Sequence, residues 1–197
     1  MVAPSTVRQL IVEGTPNKHL ALRPGVTWIQ AIPPNGALAE TWNIGSDAIS
    51  NPADRALLMA ARRACDVVVT TARTAAAESY RPSKYAPIAV VDRHSEFLPP
   101  VQFGETKPMF GISDLADLAM LEVQSNFILL ESGITYAKAL GSRLEHFIVT
   151  VTNTSDATTA LERVEELVRL LNGAQLEQYF ALAQDGNVVV TGSLHIS

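Results

Sequence analysis

Two hydrophobic patterns take turns along this chain, one recurring at helical spacing and one running as continuous β-branched residues, and their alternation predicts an α/β protein. Leu57, Leu58, Ala61 and Cys65 share one face of a helix expected over 52–65. Its start is marked three ways: Asn51 as side-chain cap, Pro52 at the first helical position, and Asp54 as negative charge near the N-terminus. Val67, Val68 and Val69 follow at once and predict a strand over 66–70 covered on both faces, which implies parallel pairing. Further strands are expected over 26–32, 88–92, 108–112, 126–130 and from near His146 to near Val151, with helices over about 114–123, capped by Ser113, and 134–140. Residues 7–12 read as a short strand or a turn. Leu161, Val164, Leu167, Val168 and Leu171 form another helical face, ended by Asn172-Gly173. Residues 179–183 and 188–191, separated by Gln184-Asp185-Gly186-Asn187, read as a terminal β-hairpin. Residues 99–107 are the one long segment expected to be mobile.

Composition narrows the class. A chain of 197 residues with 47% hydrophobic content supports one domain with a substantial core. A formal charge of -5 without a basic run argues against nucleic acid or an anionic membrane as partner. No run approaches the roughly 18 apolar residues a membrane span needs, and no basic segment leads into a signal-like apolar stretch, so a cytoplasmic location is the expectation. Cys65 is the single cysteine, which makes an internal disulfide impossible and a structural role the expected one. His19, His94, His146 and His195 are scattered, without helical pairing or cysteine neighbours, so no metal is expected. Neither a Gly-x-Ser-x-Gly elbow nor a Walker loop is present.

Candidate chemistry gathers at two strand ends. Thr70-Thr71-Ala72-Arg73-Thr74 reads as a loop of mostly small residues at a strand's C-terminal end, where ligands bind in open α/β sheets. In Leu130-Glu131-Ser132-Gly133-Ile134-Thr135 a buried strand runs into a small-residue turn that opens a helix, so free amides and the positive helix end point to one spot, as a phosphate requires. Taken alone, that segment reads as a strand-to-helix turn with no ligand, and its register with residues 72–80 is what brings a ligand level with that reading. Arg55 and Arg62, seven apart, are either solvated helix charges or a stripe that meets an anion. Asp66 and Asp92 flank strands and read as turn or capping residues.

Residues 49–55 (ISNPADR), the helix end 62–66 and residues 72–80 (ARTAAAESY) resemble the reductase domain of the bifunctional riboflavin-biosynthesis deaminase/reductase, within the dihydrofolate-reductase-like fold. Stand-alone pyrimidine-reductase-like proteins of actinobacteria are the nearest in flavour. Arg23-Pro24, Asn35-Gly36, residues 87–93 and Leu130-Glu131-Ser132-Gly133 agree in the same order, so the resemblance spans roughly residues 23–152. It implies a three-layer sandwich whose mostly parallel central sheet ends in an antiparallel C-terminal hairpin. It also implies a homodimer and an NADPH-dependent reductase similar to 5-amino-6-(5-phosphoribosylamino)uracil reductase, acting on a phosphoribosyl-pyrimidine. Carried over position by position, Ala31, Thr71, Ala72, Thr74, Glu78, Arg93, Ser132, Gly133, Ile134 and Thr135 fall at the cofactor, and Ser46, Arg62 and Glu131 at the substrate. Arg93 would meet a ribose 2′-phosphate, which favours NADPH over NADH.

The chain also departs from that pattern. Pro33-Pro34-Asn35-Gly36 stands where the family has Ser-Leu-Asp-Gly, so Asn35 occupies the aspartate position and no catalytic residue is assigned. If that aspartate relays a proton, the change costs about 10² to 10⁴ in rate. Ser132 replaces the first of two glycines, at about 1–2 kcal/mol if the position needs positive φ. Thr71 stands for a glycine and Ala48 for a tryptophan, and residues 152–156 lead into a helix where relatives have a proline and glycine loop. The deaminase half's zinc signature is absent, so base deamination is not expected. Beside the reductase stand two alternatives: a catalytically lapsed homologue that binds a dinucleotide or other ligand, and a reductase of another small heterocycle.

Overall fold

An eight-stranded sheet organises the computed structural model, which describes residues 7–34, 49–94 and 97–196; Asn35, Gly36, Ser46 and Ala48 lie outside them. The elements run β1 (Arg8–Val12), β2 (Thr15–Leu22), β3 (Gly25–Ile32), α1 (Pro52–Ala64), β4 (Val67–Thr71), α2 (Ala72–Ala77), β5 (Ile88–Val91) and β6 (Met109–Ile112). They continue with α3 (Leu115–Gln124), β7 (Phe127–Glu131), α4 (Ile134–Leu140), β8 (Leu144–Val151), α5 (Ala157–Arg169), β9 (Gln175–Gln184) and β10 (Asn187–His195). Strand order is β6-β5-β4-β7-β3-β8-β10-β9. The first six strands in that order pair in parallel, while β10 pairs antiparallel with both β8 and β9. This is the expected mostly parallel α/β sheet with an antiparallel C-terminal hairpin.

Side-chain alternation on the central strands feeds two cores. Val26, Trp28, Val67, Val69 and Leu130 face α3, α4 and α5. Val68, Ile88, Val90, Leu129 and Ile148 face α1 and the β1–β2 hairpin. Because the central strands are covered on both sides, their β-branched runs are buried throughout, each side chain contributing about 1.5–3 kcal/mol.

The start of α1 is capped as its sequence demands, with Asn51 Oδ1 accepting the Asp54 N–H at 3.1 Å. Asn51 also exchanges two amide hydrogen bonds with Asn187 (2.6 and 2.9 Å), and Asn187 Oδ1 accepts the Asn153 N–H at 3.2 Å. One cap thus pins the helix start to the β8–α5 turn and to the start of β10.

Four local expectations are corrected. The segment after β4 is a helix, α2, and not a loop, because Thr71 caps it and its alanines favour helix. Strand β2 was unforeseen; Glu13 (φ 50°) and Gly14 (φ 80°) form the two-residue turn that folds it back on β1. Asp114, and not Ser113, supplies the α3 cap, with its Oδ1 3.3 Å from the Asp117 N–H while Asp117 accepts the Ser113 N–H at 2.7 Å. The terminal hairpin closes through two residues, Asp185 (φ 50°) and Gly186 (φ 75°), so its strands are longer than expected.

Candidate functional site

Parallel pairing of β3, β7, β4 and β5 opens all their C-terminal ends at one edge of the sheet. Register decides which residues meet there: Thr70 is level with Glu131, Thr71 with Val91, and Trp28 with Leu130. The start of α2, the Arg93 turn and the turn into α4 therefore lie on adjacent strand ends. Ala31, half-buried and paired with Thr150, lies three residues past Trp28 toward the same end of β3.

The β7–α4 turn is held from both sides. Thr70 Oγ1 donates to the Glu131 carbonyl at 2.7 Å, and Trp28 Nε1–H donates to the Ser132 carbonyl at 2.9 Å. Ser132 is buried and lies outside the left-handed region, and Gly133 is extended at φ -63°, so serine carries no strain here. Gly133 is the N-cap and makes no side-chain cap. By helix geometry the Ile134 and Thr135 amides have no carbonyl to reach inside α4.

The neighbouring turn closes on itself. Thr71 Oγ1 accepts the Thr74 N–H at 3.1 Å and lies 2.9 Å from the Thr74 hydroxyl. Thr71 is extended at φ -99°, so threonine stands unstrained where the resemblance would put glycine. Ala72 and Thr74 are half-buried in α2, and Glu78 caps the far end of that helix. Arg93 is exposed just beyond β5, in a turn shaped by Asp92, which accepts the His94 N–H at 3.1 Å and the Phe97 N–H. Asp66 similarly serves the Asn126 and Phe127 amides at 3.0 and 3.1 Å.

Arg62 and Glu131 meet directly. Arg62 Nε donates to Glu131 Oε1 at 2.7 Å and Nη2 donates to Oε2, with Glu131 only 5% exposed. The Tyr80 hydroxyl donates to the same Oε2, and the Arg62 guanidinium lies 4.9 Å from the Tyr80 ring centroid. Burial alone lowers the Arg62 pKa, but the hydrogen bonds and charge of Glu131 outweigh it and hold it above its ordinary value. Burial, then the Glu131 charge, pushes Tyr80 well up, so its hydroxyl stays a donor. Burial first, then Glu131 and Asp66, push the Cys65 thiol up to about 12, which keeps it protonated and inert.

Two residues escaped sequence reasoning. Tyr80 ends the ARTAAAESY segment, and only the fold shows its hydroxyl reaching Glu131. Tyr136, on α4, has a buried hydroxyl with no protein hydrogen-bond partner. Burial pushes its pKa up to about 12, partly offset by the charges of Arg93 and Arg143 nearby. Ser46 and Asn35 lie outside the described residues. Among the described residues no group of three or more His, Cys, Asp or Glu side chains is arranged to hold a metal ion, and no helix is long and apolar enough to cross a membrane.

No family model matches the chain. No curated protein matches it either. Solved structures do. The chain is similar to a pyrimidine reductase-like protein of Corynebacterium diphtheriae at 14% identity and TM-score 0.59, over 88% of this chain and 93% of that one. It is similar to the riboflavin biosynthesis reductase of Saccharomyces cerevisiae at 12% identity and TM-score 0.56, over 87% and 90% of the two chains. Dihydrofolate reductase of Enterococcus faecalis, complexed with NADP(H), matches at 10% identity and TM-score 0.56, over 87% and 96%. At these identities the likeness is one of architecture, and the chain has the dihydrofolate-reductase-like fold that these reductases share.

Proposed function

We propose that the chain is an NADPH-dependent reductase of a small heterocyclic substrate, similar to the reductase that acts on 5-amino-6-(5-phosphoribosylamino)uracil. The observation that carries this reading is the uncapped turn at Gly133, held by Thr70 and Trp28 beside the ends of β3 and β4. The Ile134 and Thr135 amides suit a pyrophosphate, with Ser132 and Gly133 beneath it. Arg93 supplies a cation for a 2′-phosphate, and Ala31, Thr71, Ala72, Thr74 and Glu78 line the same edge. The nicotinamide, when bound, supplies the hydride.

Arg62 and Tyr80 hold the Glu131 carboxylate in place on the substrate side. A carboxylate accepts about four hydrogen bonds. Arg62 and Tyr80 provide three, so Glu131 Oε1 keeps capacity for a heterocycle N–H. The resemblance adds Ser46 to the substrate residues in this reading, and homodimerisation through the exposed β9 edge in the cytosol belongs to it.

Titration of the purified protein with NADPH and NADH, read by fluorescence, tests the cofactor, and absorbance loss with the phosphoribosyl-pyrimidine tests turnover. Saturable, NADPH-preferring binding with turnover is the expected result. Absence of dinucleotide binding would overturn the reading.

A second reading has its own observation. Because Glu131 already neutralises Arg62, the guanidinium is a weakened phosphate anchor. That favours an uncharged heterocycle, or a lapsed homologue that binds NADPH without turning over the phosphoribosyl compound. NADPH binding without turnover of that compound, followed by a screen of dephosphorylated heterocycles, separates these.

A further inference from the structure

At the opposite end of the sheet from the candidate site, a nucleophile stands between two cations. Tyr85 lies three residues ahead of β5, whereas Arg93 lies beyond the far end of that strand. Arg63, in the last turn of α1, donates from Nη2 to the Tyr85 hydroxyl at 3.1 Å, and its guanidinium is 4.8 Å from the ring centroid. The Lys84 ammonium is 5.2 Å from the same centroid. Both cations are exposed, and among the described residues neither is paired with a carboxylate.

The backbone fixes this meeting. Ser83 Oγ accepts the Tyr85 N–H at 3.0 Å, and the Ser83 carbonyl accepts the Lys107 N–H at 2.6 Å. Ala86 is 1% exposed, and the Pro87 carbonyl accepts the Val68 N–H at 3.0 Å, so the chain just after Tyr85 is already tied to the sheet.

The four tyrosines of the chain differ in what their hydroxyls can do. Tyr80 donates its hydroxyl to Glu131, and that of Tyr136 is buried. Tyr179 is 42% exposed on β9, with no cation over its ring among the described residues. Tyr85 combines a surface hydroxyl with two cations. The Arg63 hydrogen bond first, and with it the Lys84 hydrogen bond and both charges, outweigh burial and hold that hydroxyl below the ordinary phenol value. More of it is then phenolate at a given pH, and phenolate is the nucleophile. The same cations can receive the negative charge of a phosphoryl group under attack.

We propose that Tyr85 is an acceptor for phosphoryl groups from small activated phosphate esters, with Arg63 and Lys84 holding the phosphoryl oxygens. The hydroxyl oxygen attacks phosphorus: the O–P bond forms, the bond to the leaving group breaks, the leaving group departs with that electron pair, and the phenol proton passes to water. Nothing is oxidised or reduced. The product is a tyrosine phosphate whose oxygens stay beside the two cations, a charge-assisted pairing.

Incubation of the full chain with 2,4-dinitrophenyl phosphate, whose leaving group is dinitrophenolate, tests the proposal, with modified tyrosines located and timed by peptide mass spectrometry. Tyr85 should be phosphorylated about tenfold faster than Tyr179 or more. Arg63→Gln should slow the reaction at Tyr85 about tenfold and Lys84→Gln several-fold, with Tyr179 unchanged in both. An unchanged thermal melt checks that each variant is folded. Phosphorylation of Tyr179 as fast as Tyr85, no phosphorylation of Tyr85, or a rate at Tyr85 indifferent to Arg63→Gln overturns the proposal. The readout needs no dinucleotide, so its outcome is independent of the reductase reading.

Discussion

The two strand-to-helix turns at the candidate site share a topology and differ in chemistry. After β4, Thr71 folds its hydroxyl onto the Thr74 amide and closes the helix start. After β7, Gly133 has no side chain to do so, while Thr70 and Trp28 tie the turn's carbonyls to flanking strands. A helix start satisfied by its own cap has little to offer an anion, whereas one rigidly held and uncapped keeps its amides available. The capacity for a cofactor phosphate therefore rests with residues 133–135 more than with 71–74.

The sharpest way to break the contrast is to unpair the charge at the strand end that leads into the open turn. Glu131→Ala leaves Arg62, 17% exposed, without its partner beside a desolvated Tyr80. We expect a loss of about 3 kcal/mol or more in urea unfolding, with NADPH binding lost in parallel. Ile134→Pro is cleaner, since proline is tolerated at the first helical position and Gly133 is already extended as the residue before proline requires. It removes one amide from the open turn, and NADPH affinity should fall about tenfold with stability no lower than that of the packing control Ile134→Ala.

Thr71→Ala sharpens the other half. Losing that cap should cost about 1 kcal/mol of stability, while NADPH affinity changes less than in Ile134→Pro. A larger affinity loss at Thr71 than at Ile134 would reverse the assignment of the two turns. The smallest expected effect concerns Cys65, raised from 9.0 to about 12 by burial at the end of α1, ahead of β4. The fold binds the thiol proton more tightly than the unfolded chain, so this contribution is full below pH 9 and is lost as pH rises toward 12. Cys65→Ala should flatten the fall of stability with pH in that window, leaving the part due to Tyr80 and Tyr136.

Legibility followed the range of the interactions. The start of α1 was readable because Asn51, Pro52 and Asp54 act within one turn, and the β4 and β7 runs because burial on both faces demands β-branched and apolar residues. Strand β2 was hidden because residues 15–18 lack a period-two apolar pattern, and the Glu13-Gly14 turn is all that marks the return. The α2 segment misled because small residues serve loops and helices alike, and the deciding Thr71–Thr74 bond is a cap that small-residue composition does not reveal.

By itself, then, the chain's sequence determined where most of the strands and helices form, β2 and α2 excepted, and that two small-residue turns end at strand tips. Those outcomes depend on apolar periodicity and on bonds between residues a few positions apart. Only the tertiary structure decided that Arg62 is spent on Glu131, 69 residues away, that Tyr80 joins them, and that Thr27 and His146 come level, each with a buried polar atom unpaired. Such meetings are set by strand order and register, which bring distant residues to one level of the sheet.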